Sequence, residues 1–96
     1  MTGHPMTRAE RIAETFGVVL GAASQCEQVS AERLNAVTVR ARDMMITNAT
    51  DAEDAEAAEA LFSAAVEAGR SAAEGGKVDP ESVETAFGEM ELRLSV

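Results

Sequence analysis

Apolar positions along the chain fall into four amphipathic stretches separated by short polar breaks. In the first, Ile12, Phe16, Val19, Leu20, Ala23 and Cys26 recur at the period of one helix face. Thr7 followed by Glu10 has the spacing of a capping box, which predicts a helix over residues 7–28. Beside the apolar stripe runs a row of small residues, Ala13, Gly17 and Gly21. A glycine inside a helix costs about 1 kcal/mol against alanine, and another helix backbone packed close against the row would offset that cost. Membrane helices pair through the same spacing, but Glu14 and Gln25 flank this row. No apolar run approaches the roughly 18 residues of a membrane span.

Ser30 is placed to cap a second helix over 30–48, whose apolar positions Leu34, Val37, Ala41 and Met44 recur at the spacing of a bundle helix. Val39 and Ile46 lie off that stripe, either as a second buried face or as exposed apolar positions. The third stretch opens on five carboxylates, Asp51, Glu53, Asp54, Glu56 and Glu59. Calcium would need a mid-loop glycine and non-helical backbone, whereas alanines alternate with the acids here and drive a helix. Thr50 and Glu53 read as its capping box, with acids in the first turn where the helix dipole favours them. Ala55, Ala58, Leu61, Phe62, Ala65, Val66 and Ala72 form its apolar face, opposite Glu53, Glu56, Ser63, Glu67, Arg70 and Glu74. Gly75-Gly76 ends the helix, giving 51–74. Asp79-Pro80-Glu81 starts a fourth helix over 80–94 along Val83, Phe87, Met90 and Leu94. The expectation is an all-α fold: a small antiparallel bundle of four amphipathic helices in one domain over 7–96, behind a flexible leader of residues 1–6.

Composition adds one constraint. The chain is 46% hydrophobic but has three Phe and no Trp or Tyr, so its core is thin and calls for close helix approach or a second copy of the chain. Charge adds another. Residues 1–50 carry five acids and five bases, while residues 51–96 carry twelve acids against Arg70, Lys77 and Arg93, so the second half holds the whole net charge of −9. Such a field argues against direct nucleic-acid binding. The single cysteine rules out an internal disulfide framework and fits a reducing, cytoplasmic setting. The run from Phe16 to Ala23 is at the short limit for a signal peptide, Glu14 interrupts its approach and no clean small-x-small site closes it, and the Asn48-Ala49-Thr50 acceptor triplet would need export to matter.

Catalytic chemistry has no convergent set of groups to draw on. His4, the only histidine, falls in the leader, and Cys26 sits on an apolar stripe with no base in its pattern. Met44, Met45 and Met90 read as core filler more readily than as an adaptable groove. We therefore expect no cofactor, no metal and no enzyme, but a module that binds a protein partner with a basic surface, with self-association as a second expectation. The contact residues expected are Asp54, Glu56, Glu59, Glu67, Glu74, Glu81, Glu84 and Glu91 on the acidic helices, and Val39, Met45 and Ile46 off the main stripes. The alternative is a phage-type inhibitor, an anti-defence or DNA-mimicking protein that blocks a basic nucleic-acid-binding surface with rows of carboxylates.

Overall fold

A computed structural model describes residues 5–94. Over them the four apolar stretches become α1 (Arg8–Ala23), α2 (Ala31–Thr47), α3 (Ala52–Glu74) and α4 (Pro80–Leu94), with no strand among the described residues. The all-α bundle expected from the sequence is what forms. His4 and most of the predicted leader lie outside the described residues, and the Met6 carbonyl accepts a hydrogen bond from Arg11.

Three of the start and stop signals act as read. Thr7 and Glu10 form the capping box on α1, with the Thr7 N–H donating to Glu10 Oε1 at 2.9 Å and the Glu10 N–H to Thr7 Oγ1 at 3.2 Å. Ser30 caps α2 through the Arg33 N–H. At the end of α3 the Lys77 N–H donates to the Ala72 carbonyl and the Gly76 N–H to that of Ala73, the paired bonds of a Schellman stop, with Gly76 in the left-handed region at φ 71°.

Two boundaries differ from expectation. Helix α1 stops at Ala23 rather than near 28, because the Gln25 and Cys26 N–H groups bond three residues back and tighten the chain into turns. Cys26 and Val29 still turn toward the core from this connection, which is why the apolar period in the sequence runs on past the helix end. The cap of α3 is Asp51, not Thr50: its side chain accepts from the Asp54 N–H at 2.8 Å. That shift of one residue turns Asp54 inward. Its carboxylate accepts from Thr7 Oγ1 at 2.7 Å and from the Thr50 N–H at 2.9 Å, joining the N-termini of α1 and α3.

The joined termini belong to helices that run parallel. Thr7 meets Asp54, Gly17 meets Phe62 and Ala65, and Gly21 meets Val66 and Arg70, so both chains ascend together. This is the closest helix pair in the molecule, although in a four-helix succession it would usually lie across the diagonal. Glycines make it so. A Cβ on Gly21 would overlap the Val66 carbonyl and stand 2.9 Å from the Arg70 nitrogen, and one on Gly17 would stand 2.7 Å from the Ala65 Cβ. The contact is reciprocal, since a Cβ on Gly69 of α3 would overlap the Val18 carbonyl and stand 3.0 Å from the Ala22 nitrogen. Gly69 carries no apolar side chain, so the sequence pattern does not single it out.

Helix α1 also contacts α2 and α4, which meet each other on its far side, and it is the hub of the core. Ala9, Ala13, Leu20, Val37, Ala41, Met45, Phe62 and Phe87 are all buried. The molecule is flat, with extents of 38 × 33 × 16 Å, about two helix layers thick.

Two glycine substitutions separate steric need from helix propensity. Gly21→Ala gains about 1 kcal/mol of propensity but drives a methyl group into backbone, and overpacking of that kind costs about 1–3 kcal/mol or more. A net loss of stability by chemical denaturation is expected. Gly88 in α4 has nothing within 4 Å of a Cβ, so Gly88→Ala should raise stability by up to about 1 kcal/mol. Asp54→Ala should cost about 2–3 kcal/mol, as expected for removal of a buried acceptor of charge-assisted bonds, measured in the same way.

Candidate interaction surface

Helix α2 is the basic helix of the molecule, and two of its arginines fix its position. Arg33 donates from Nη2 to Glu91 Oε1 at 2.7 Å and from Nε to Oε2 at 3.1 Å, a two-pronged bond to α4. Its guanidinium lies 5.3 Å from the centre of the Phe87 ring. Arg42 repeats the arrangement toward α3, donating to Glu59 Oε1 at 2.6 Å and lying 5.8 Å from the Phe62 ring centre. Each arginine covers a core phenylalanine with its flat face while its edge holds a carboxylate. The hydrogen bond from Arg33 holds the Glu91 carboxyl below its ordinary range and raises Arg33 in turn.

These bonds redistribute the acidic residues named from the sequence. Glu59 and Glu91 are half-buried partners of arginines, and Glu67 pairs with Arg70 on the same helix. Asp54 is 8% exposed and belongs to the junction of α1 and α3, which corrects its assignment to an outer contact face. Glu56, Glu74 and Glu81 are exposed and Glu84 is half-buried at the side of α4. The carboxylates thus serve three different purposes and do not form one continuous free row.

The apolar candidates also divide. Met45 is fully buried and is a core residue, so it cannot form part of an outer surface. The inner stripe of α2 runs through Val37, Ala41 and Met45 at intervals of four, leaving Leu34 and Met44 half-buried at its margins. Val39 and Ile46 are 53% and 49% exposed. Seven residues apart, they lie two turns from each other on the outer side of α2. Val18 and Leu92 are the other large apolar side chains left exposed among the described residues.

Another face of α2 borders a feature that no motif announces. Leu20, Leu34, Thr38, Arg42, Phe62 and Val66 line an open groove of about 300 Å³ between α2 and the α1–α3 pair. Its origin is the glycine contact: α3 is drawn tightly onto α1 and touches α2 only sparsely. Leu20, Leu34, Phe62 and Val66 make the groove largely apolar, and Arg42, the charged residue that lines it, is already paired with Glu59.

Among the described residues no three His, Cys, Asp or Glu side chains come together as metal ligands. Cys26 is half-buried beside a cleft of about 60 Å³ formed with Ala22, Ala73, Val78 and Val83, and no histidine or carboxylate lines that cleft. No helix is long and apolar enough to cross a membrane. Compared with protein-family models, with curated proteins and with solved structures, the chain matches none.

The Arg33–Glu91 bond has a pH signature. Because the Glu91 carboxyl is lowered in the folded state, its contribution is present above the ordinary carboxylate range and is lost as pH falls through its folded value. Glu91→Gln should melt below the wild type near neutrality, and the two melting curves should converge on acidification below pH about 4.

Proposed function

We propose that the protein is a non-enzymatic interaction module that docks a protein partner on the outer side of α2 and in the adjoining groove. The observation that carries this reading is the pair Val39 and Ile46, each about half exposed, on the helix whose Leu34, Thr38 and Arg42 form one wall of an apolar groove, in a chain with few large apolar residues to spare. Exposed apolar surface rimmed by polar groups is a usual mark of a docking site. The acidic outer faces of α3 and α4, including Glu53, Glu56, Glu74 and Glu81, act at longer range by raising the encounter rate with a basic partner. A reducing, cytoplasmic setting suits the single thiol.

Inhibition by imitation of nucleic acid draws less support from the geometry. It would use a long row of free carboxylates, and Asp54, Glu59, Glu67 and Glu91 are engaged within the molecule.

The two roles are separable by substitution. Immobilised protein should retain a partner from extracts of its native host, and Val39→Glu with Ile46→Glu should abolish retention while leaving helicity by circular dichroism unchanged. Glu53→Lys with Glu56→Lys should instead slow association and flatten its salt dependence, leaving dissociation nearly unaltered. Retention that survives the α2 pair and fails with the α3 pair would move the contact surface to the acidic helices.

A further inference from the structure

We infer that the partner of the α2 face is a second copy of this chain, placed antiparallel by a two-fold axis that runs between the two α2 helices at the level of Arg42; this rests on the reading of that face as a contact surface. A two-fold interface must be self-complementary, so that each residue of one copy meets its counterpart's complement on the other. The outer side of α2 meets that condition. In an antiparallel pair centred near Arg42, Val39 of each copy lies opposite Ile46 of the other, which buries the two exposed apolar residues of this helix in two equivalent contacts. On a single flank of the same stripe stand Arg40 and Asp43, both exposed and neither in a salt bridge among the described residues, although the Arg40 charge acts on Glu91 of α4 from a longer distance. Antiparallel helices bring like flanks together, so Arg40 of each copy reaches Asp43 of the other.

Charge favours this face over α3 and α4. Association through α3 or α4 would stack one acidic surface on another, whereas residues 1–50, which include α2, carry no net charge. Pairing there brings the neutral halves together and keeps the acidic halves apart. The groove between α2 and α3 flanks the contact and gives the second copy's α2 ends room to settle.

Sedimentation equilibrium of the purified full chain from micromolar to millimolar concentration tests the inference without any other protein present, so its outcome is independent of whether a foreign partner exists. The expected result is a mass approaching twice 10.1 kDa. Val39→Glu with Ile46→Glu should return the monomer, with helicity by circular dichroism unchanged because both positions are exposed. Asp43→Arg should weaken the dimer by about tenfold or more, since it sets like charges face to face, and adding Arg40→Asp to it should restore the affinity. A 10.1 kDa species at every concentration would overturn the inference, as would a dimer that persists in the Val39→Glu, Ile46→Glu variant. A swap that fails to rescue Asp43→Arg would overturn the antiparallel register.

Discussion

The backbone-to-backbone contact between α1 and α3 governs the rest of this molecule. A chain with three phenylalanines and no larger aromatic cannot fill wide gaps between helices. It can lower the distance between them instead. Gly17 and Gly21 on one helix and Gly69 on the other remove three Cβ atoms that would hold the axes apart, and each glycine lies against a carbonyl or amide of the opposite helix. Dispersion between close-packed backbones then does part of what large side chains do elsewhere. Asp54 sets the register of the pair from one end, accepting hydrogen bonds from Thr7 of α1 and from Thr50 at the start of α3. Its charge stands beside the N-termini of two parallel helices, where both dipoles favour it.

The surface follows from that constraint. With α3 held on α1, α2 and α4 complete the core; α2 packs its buried stripe Val37, Ala41 and Met45 inward and reaches α4 and α3 through long arginine side chains. Arg33 and Arg42 span the gaps, cover Phe87 and Phe62, and engage carboxylates of α4 and α3. What they leave open is the groove beside Leu34 and the outer pair Val39 and Ile46. The same economy that thins the core therefore produces both the flatness of the molecule and the apolar strip on which its function is proposed to rest.

Much of the architecture was legible in the sequence because it depends on local rules. Capping boxes, proline at a first helical position and paired glycines at a helix end are decided by nearest neighbours, and all four helices follow from them. The small row Ala13, Gly17, Gly21 was legible as a demand for close packing, though not which helix would meet it. Where reading failed, tertiary contact had overruled a near tie. Thr50 and Asp51 are both good caps, and the choice falls to Asp51 because it lets Asp54 reach Thr7, 47 residues away. Met44 and Met45 both lie near the inner stripe of α2, and the packing against its neighbours selects Met45. The division of the carboxylates into bridging, buried and free groups was not legible at all, since it depends on which arginines arrive from other helices. Gly69 and the groove share that cause: each exists only once two distant segments have met.

If the α1–α3 contact is the constraint on which the fold depends, its amides should be the last to open. Native-state hydrogen exchange resolved by residue measures this directly. The slowest amides should lie in Phe16–Ala23 and Phe62–Gly69 and exchange only with global unfolding, while those of α2 and α4 open at lower free energy. Protection in α2 or α4 equal to or above that in α1 and α3 would contradict the account, and would place the stabilising contact elsewhere in the bundle.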